Sequence, residues 1–170
     1  MKGVTPYSGL SQFYFRHLLK QIIKVGRLDR SQIRILDFGC GRGELKRILG
    51  EKKVIGYDII RELSDVLDWR EVDFDVLVAN QVFYSFSEKD LECLLQELRE
   101  KNHALELVIG VSRQGILNNI GKYLLAMPNA HEASKLTAKQ EMKIFEKYCE
   151  LIVRKSFILI ADVYLLRFKN

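Results

Sequence analysis

The apolar positions along the chain alternate between a helical period and short continuous runs, which predicts helices alternating with buried strands. A first amphipathic helix is predicted from the apolar positions Phe15, Leu18, Leu19 and Ile22, and it should end near Gly26. Such alternation is typical of an α/β layer architecture, in which helices cover a mostly parallel sheet.

Short apolar runs mark the strands, because strands buried on both faces read as continuous hydrophobic segments. The predicted strands are residues 33–38, 54–58, 74–79, 105–111, 151–157 and 160–168. The last two follow each other with too little chain for a crossover helix, so an antiparallel hairpin is predicted at the C-terminus.

Two further helices carry capping signals at their starts. Ser87 stands three residues before Asp90, and Thr137 stands three residues before Gln140. A hydroxyl followed at this spacing by an acid or amide satisfies free N–H groups of a first helical turn, so helices are predicted to begin after Ser87 and Thr137.

Composition and charge narrow the class of protein. With 170 residues and 48% hydrophobic content, the chain is long enough for one full core. Three widely spaced cysteines indicate neither a disulfide framework nor a zinc site, and no apolar run approaches the roughly 20 residues that cross a bilayer. We therefore expect a cytoplasmic protein without a bound metal.

Positive charge is concentrated in the first third of the chain. Residues 1–60 carry 12 basic and 5 acidic side chains, whereas residues 61–170 carry 15 and 17. Such an excess suits nucleic acid or an anionic membrane surface, so peripheral membrane contact stays open. A solvated face is favoured over both, because no basic run is longer than a pair.

The most informative segment is the glycine-rich turn after the first predicted strand. Gly39, Gly41 and Gly43 alternate directly after a buried run, which lets backbone N–H groups come close to a ligand. A dinucleotide-binding fingerprint would need another glycine at Glu44, and a P-loop would need Gly-Lys followed by Ser or Thr, so both of those phosphate-binding motifs are excluded.

Residues 36–43, Leu-Asp-Phe-Gly-Cys-Gly-Arg-Gly, resemble the first motif of the class I S-adenosylmethionine-dependent methyltransferases. Residues 54–58, Val-Ile-Gly-Tyr-Asp, follow at the distance where that family places an acid at a strand end. Residues 73–84 are similar to the family's fourth-strand motif, with Phe-Asp, an apolar run, a polar residue and an aromatic. The resemblance covers about residue 33 to the final strand pair.

The resemblance implies a Rossmann-like, doubly wound, mostly parallel sheet with an antiparallel C-terminal strand, and S-adenosylmethionine as cofactor. It assigns Asp58 to the ribose hydroxyls, Asp37 to the methionine ammonium, and Asp65, with Asp68 as the alternative, to the adenine amino group. The positions implied to bind the cofactor are Asp37, Gly39, Cys40, Gly41, Gly43, Asp58, Ile59, Asp65 and Asn80.

One departure from the family pattern concerns the segment after the second strand. Only 16 residues separate Asp58 from Asp75. A helix and strand that return to the same sheet need a dozen or more residues for the crossover alone. The helix-strand unit at this position is therefore predicted to be shortened.

We expect residues 1–170 to form a single domain, with residues 1–30 as an N-terminal helix and lid and residues 112–135 as the cover of the acceptor site. Tyr7 and Tyr14 are the candidate lid aromatics. The covering segment carries an apolar stripe with Arg113 and Lys122 beside it, which favours either packing on its own domain or an apolar acceptor site with a basic rim.

Candidate catalytic residues are His131, as a general base, and Tyr84, whose ring would flank the sulfonium. The acceptor space is predicted between them, with Phe83 and Tyr123 in its wall. The predicted function is methyl transfer to a small molecule, apolar or lipid-like with an anionic group. The alternatives are a non-catalytic cofactor-binding or protein-partner module and, less favoured, a nucleic-acid methyltransferase.

Overall fold

The computed structural model describes residues 10–113, 135–157 and 161–170. Its helices are α1 (Leu10–Gly26), α2 (Glu44–Leu49), α3 (Glu88–Lys101) and α4 (Ala138–Tyr148). Its strands are β1 (Ile35–Phe38), β2 (Val54–Tyr57), β3 (Val76–Asn80), β4 (Glu106–Ser112), β5 (Cys149–Phe157) and β6 (Ala161–Phe168). No helix of the described residues is long and apolar enough to cross a membrane.

The six strands form one sheet in the order β2-β1-β3-β4-β6-β5. Strands β1 to β4 are parallel to one another, β6 runs antiparallel to β4, and β5 pairs antiparallel with β6. This arrangement confirms the predicted α/β fold and its C-terminal hairpin. The carboxyl ends of β1 to β4 therefore meet at one edge of the sheet, called the carboxyl edge below, and β6 begins there.

Each face of the sheet carries its own core. Helices α1 and α2 cover one face through buried residues such as Leu18, Ile22 and Leu45. Helices α3 and α4 cover the other face through residues such as Leu95 and Phe145. Apolar residues inside β1, β3 and β4 are buried on both sides, which explains why their sequences read as unbroken apolar runs.

The predicted helix boundaries are confirmed at three places. Helix α1 ends at Gly26, where any side chain would meet Val108 of β4 at 2.7 Å, so the helix end packs directly on the sheet. The Ser87 side chain accepts a hydrogen bond from the N–H of Asp90 at the start of α3. Thr137 and Gln140 form a complete capping box at the start of α4.

The chain between β2 and β3 contains only two short 3-10 helices, Arg61–Leu63 and Trp69–Glu71. This confirms the shortened unit and leaves β2 at the sheet edge. Asp65 takes the place of a neighbouring strand at one position. Its Oδ2 accepts a hydrogen bond from Gly56 N–H at 2.6 Å, and its own N–H donates to the Gly56 carbonyl at 2.9 Å.

Strand ends differ from the predicted ones by one or two residues. Strand β3 begins at Val76, two residues later than predicted, because Asp75 turns to Arg34: its carboxylate accepts the Arg34 N–H at 2.9 Å and pairs with the guanidinium at 3.1 Å. Strand β5 begins at Cys149, two residues earlier than predicted, because Cys149 already pairs with Phe168 of β6.

Candidate functional site

The glycine turn after β1 lies at the carboxyl edge with an unusual backbone. Gly39, Gly41 and Gly43 all have positive φ, at 76°, 52° and 72°. A side chain at position 39 would come within 2.5 Å of Val82, whereas no atom of the described residues lies within 4 Å of the place that a Cβ of residue 41 would occupy. Gly39 is therefore fixed by packing, and Gly41 borders open space where a ligand can approach the backbone.

Asp58, the predicted ribose acid, directly contacts this glycine turn. Its Oδ2 accepts a hydrogen bond from Gly41 N–H at 2.9 Å, and its Oδ1 accepts one from Ile60 N–H at 2.9 Å. An ionised carboxylate can accept about four hydrogen bonds. The group is thus oriented by the backbone and retains capacity for two hydroxyl donors.

Asp37 is the most unusual acid of the site, with only 6% of its surface exposed. Burial, together with the negative charges of Asp58 and Asp65, raises its pKa to about 7. No described lysine or arginine forms an ion pair with it. A buried carboxyl in this state gains most from a bound cation.

Asp37, Cys40, Gly41, Gly43 and Asp65 all line one cleft of about 290 Å³. Its wall is completed by side chains of α2 and of the 3-10 helix after β2. The structure therefore brings five of the nine predicted cofactor positions into a single cavity.

The two candidates for adenine recognition occupy different surroundings. Asp65 faces the cleft, where Lys46 donates to its Oδ1 at 2.8 Å. Although burial raises its pKa, the hydrogen bonds from Lys46 and Gly56 N–H lower the pKa below its usual value. Asp68 instead caps the 3-10 helix by accepting the N–H of Arg70. Asp65 is thus the candidate nearer the glycine turn.

Apolar surface is exposed beside these acids. Ile59 follows Asp58 and is 94% exposed, and Leu67 is also largely exposed. Large aliphatic side chains left in water next to a polar cleft are typical of a surface that a ligand covers. The cofactor-binding role of Ile59 stays a prediction, and Leu67 is a second exposed aliphatic residue of the same segment.

Cys40 is a packing residue of the turn. Its thiol donates to the Leu63 carbonyl at 3.3 Å. Burial and the charges of Asp37, Asp58 and Asp65 raise its pKa to about 12, so it remains a neutral thiol. The packing of Cys40 also explains the glycine at position 56, because a Cβ there would lie 2.8 Å from the Cys40 sulfur.

Three buried side-chain polar atoms lack a hydrogen-bond partner among the described residues. Asn80 Oδ1 lies at the end of β3, and the Tyr14 hydroxyl and Gln21 Oε1 lie on α1. Burial raises the pKa of Tyr14 to about 12, and the neighbouring Gln81 side chain opposes this only in part. Gln81 itself has a positive φ of 57°. Unsatisfied polar groups and a strained residue together indicate a place for a polar ligand.

On the acceptor side, Tyr84 lies in the 3-10 helix Phe83–Ser85, and its carbonyl accepts hydrogen bonds from the N–H groups of Lys135 and Leu136. Phe83 was expected to line the acceptor space, and this prediction is wrong. It is 2% exposed and packs against Phe38 and Phe145 in the core. His131, Tyr7 and Tyr123 lie outside the described residues.

The sequence of residues 10–134 matches a family described as a methyltransferase domain. The chain belongs to this methyltransferase family. No curated protein sequence matches it significantly.

Solved structures with the same fold share little sequence with this methyltransferase chain. Magnesium protoporphyrin IX methyltransferase from Synechocystis PCC 6803 with bound SAH is 13% identical, with a TM-score of 0.60 over 98% of this chain and 90% of the other. The PH0226 protein of Pyrococcus horikoshii is 12% identical, with a TM-score of 0.68 over 97% and 94%. The N-methyltransferase NodS of Bradyrhizobium japonicum, in complex with SAH, is 14% identical, with a TM-score of 0.65 over 92% and 88%.

Three described residues of this methyltransferase chain, two beside the site and one remote from it, were not predicted in their observed roles. Tyr14 was expected in a lid, but it is buried and packs against Phe157. Gln81 gave no signal, because only the folded backbone reveals its positive φ. Glu141, in the first turn of α4, is a buried carboxyl whose pKa burial raises to about 7. The sequence signal for Glu141 would have been its helical spacing from Ile144 and Phe145, which puts an acid on the apolar face of α4.

Proposed function

We propose that the chain binds S-adenosylmethionine at the carboxyl edge and transfers its methyl group to a small molecule. One observation carries the proposal: a positive-φ glycine turn whose open residue, Gly41, is hydrogen-bonded to Asp58 beside the unpaired, buried Asp37. A ligand with a diol and an ammonium group satisfies both acids at once.

Each group at the edge has a role in holding such a ligand. Asp58 accepts hydrogen bonds from the two ribose hydroxyls, and Asp37 receives the ammonium of the methionine part. Asn80 and Tyr14 gain the partners that their buried polar atoms lack. Ile59 covers the base, whose amino group donates to Asp65. The bound cofactor supplies a sulfonium-activated methyl group.

Catalysis then asks for alignment and the exclusion of water rather than for strong acid-base chemistry. We propose Tyr84 beside the sulfonium and His131 as the base for acceptors that must lose a proton. The proposed acceptor is an apolar or lipid-like small molecule with an anionic group. Three free cysteines, Cys40, Cys93 and Cys149, agree with action in the reducing cytoplasm.

Calorimetry with S-adenosylmethionine and with SAH tests the binding half of the proposal, and we expect both to bind at one site. Transfer is tested with a methyl-labelled cofactor and cell extract fractionated into small molecules, protein and nucleic acid. Label in the small-molecule fraction supports the proposal. Binding without transfer to any fraction favours the non-catalytic module, and label in nucleic acid favours that class of acceptor.

Asp58→Asn should weaken S-adenosylmethionine binding about tenfold to a hundredfold, because the amide has one acceptor oxygen where the carboxylate has two and loses the charge. Calorimetry gives the affinity. The control is Asp75→Asn, since Asp75 also accepts a backbone N–H, from Arg34, but lies at the opposite edge of the sheet. The ribose-binding role of Asp58 would be contradicted if the parent protein bound a 2′-deoxy analogue of the cofactor as tightly as the cofactor itself.

A further inference from the structure

The start of β6 carries a buried carboxylate held by two arginines. Asp162 pairs with Val111 near the end of β4 and is almost fully buried. Arg113 donates to it through Nε and Nη2, both at 2.7 Å, and Arg154 donates through Nη2 at 3.0 Å. Burial disfavours the charged acid, but these hydrogen bonds prevail and lower its pKa to about 2.

The charges of this cluster do not balance. One carboxylate faces two guanidinium groups, and no other described acid forms an ion pair with Arg113 or Arg154. One arginine is enough to neutralise a buried aspartate. The second leaves a net positive charge at the carboxyl edge, where a bound anion would restore neutrality.

A comparable cluster at the opposite edge shows what a balanced arrangement looks like. There Glu106 is buried between Arg30 and Arg167, with both contacts at 2.6 Å. Glu150 lines the same cleft beside Arg167 and supplies the further negative charge, whereas Asp75 is paired with Arg34. The two clusters share a buried acid and two arginines, and they differ in the surrounding acids.

Arg154 is the member that faces solvent. Its side chain is 51% exposed, and its guanidinium lies over the Tyr164 ring at 5.6 Å from the centroid. Asp162 uses one of its five N–H donors. A planar guanidinium that is fixed on one side by a carboxylate and a ring is preorganised to bind a carboxylate or phosphate with the donors that remain.

The cluster lies at a suitable distance from the proposed methyl donor. Asn80 ends β3, and β4 separates it from β6, so two interstrand spacings of about 4.8 Å place Asp162 roughly 10 Å from Asn80 across the sheet. Neighbouring residues of a strand point to opposite faces of the sheet. The Asn80 amide, which lies against Gly110, and the Asp162 carboxylate, which is level with Val111, therefore project from opposite faces. An acceptor with its reactive atom at β3 and its charged end at the Arg154 guanidinium must cross the carboxyl edge.

We propose that Arg154, oriented together with Arg113 on Asp162, binds a carboxylate or phosphate group of the methyl acceptor. This inference rests on the proposed function, because it assumes that the acceptor occupies the carboxyl edge. It assigns the anionic end of the substrate to described residues outside the cleft that Asp37, Gly41 and Asp65 line, called the cofactor cleft below.

The test is a titration of the nitrogen-15-labelled, SAH-loaded protein with benzoate, phenyl phosphate and the neutral benzamide, followed by backbone amide shifts. We expect at least one anion to give saturable shifts at residues 113, 154 and 162, and benzamide to bind at least about fivefold more weakly. The anion that binds better identifies carboxylate or phosphate as the preferred group. Equal binding of benzamide overturns the proposal.

Arg154→Gln should weaken anion binding at least about fivefold. The anion affinity of Arg154→Lys, which keeps the charge without the planar fork, should lie between those of Arg154→Gln and the parent. The matched control is Arg167→Gln, whose side chain is also 51% exposed and also bonded to a buried acid that retains a second arginine. We expect this control to bind the anion within about twofold of the parent.

Parent-like anion affinity in a folded Arg154 variant, or shifts centred on Arg30 and Arg167, would overturn the inference. If Arg154→Gln does not fold, Arg154→Lys alone decides by the same criterion. Absence of SAH binding to the parent is a failure of the proposed function, and the acceptor role falls with it. SAH binding without any anion response is a failure of this inference alone.

Discussion

Asp37→Asn should raise the free energy of unfolding at pH 8 by about 3 to 4 kcal/mol. The unfolded chain ionises this carboxyl near 3.8, whereas the folded protein holds its proton up to about pH 7. Between these values the folded state binds more protons, so the free energy of unfolding falls as pH rises and levels off above 7. Asparagine has no proton to lose and escapes this destabilisation.

The same substitution should weaken S-adenosylmethionine binding by about tenfold to a hundredfold, because the ammonium loses its charged partner. In the parent protein, binding of the cation requires the ionised form of Asp37. We therefore expect affinity to fall about fivefold to tenfold from pH 7.5 to pH 6, as the free carboxyl takes up its proton.

Denaturant unfolding and calorimetry at several pH values measure both effects. Glu141→Gln is the matched control, because burial raises the pKa of Glu141 to about 7 as well, but the residue lies on α4, outside the cofactor cleft. We expect this control to gain stability above pH 7 with unchanged cofactor affinity. A loss of stability in Asp37→Asn, or cofactor affinity equal to that of the parent, would contradict the assignment.

Gly41→Val should reduce S-adenosylmethionine affinity at least about a hundredfold, while the fold loses about 1 to 2 kcal/mol. The space beside Gly41 holds no atom of residues 10–113, 135–157 or 161–170, so the added side chain strains a backbone at positive φ but meets no described neighbour. It occupies instead the volume through which the ligand would approach the backbone. Calorimetry and thermal unfolding separate the two consequences.

Gly50→Val is the control for strain alone. Gly50 also has a positive φ, 97°, and open space around it, but it lies at the far end of α2 and does not line the cleft. We expect this variant to lose stability and to keep its cofactor affinity. Unchanged affinity in a folded Gly41→Val protein would show that the glycine turn does not contact a ligand.

The features that the sequence predicted well are those with local causes. Alternating glycines, the capping pairs at Ser87 and Thr137, and the stop at Gly26 depend on backbone conformation within a few residues, which residue type largely determines. The mostly parallel sheet with an antiparallel C-terminal strand came from a resemblance to a family and was confirmed by the structure. The short distance from Asp58 to Asp75 correctly indicated a missing crossover.

Errors and omissions arose where long-range packing decides the role of a side chain. Phe83 and Tyr84 are adjacent aromatics after β3, and nothing local shows that Phe83 turns inward to Phe145. The resemblance assigned Asp65 to the adenine amino group, but nothing local shows that it is also bonded to Lys46 and to the edge of β2. The raised pKa of Asp37 arises from its burial and from two carboxylates more than 20 residues away in the sequence.

The contact between Asp65 and Gly56 also bears on how a sheet tolerates the loss of a strand. Open N–H and carbonyl groups on an edge strand are a template for pairing with another chain, which leads to aggregation. In β2, which has four residues, the Gly56 N–H and carbonyl are both taken by Asp65. Lys46, bonded to the same carboxylate, adds a charge beside the edge. The shortened sheet is thus protected against intermolecular strand addition by one aspartate where related folds would use a helix and a strand.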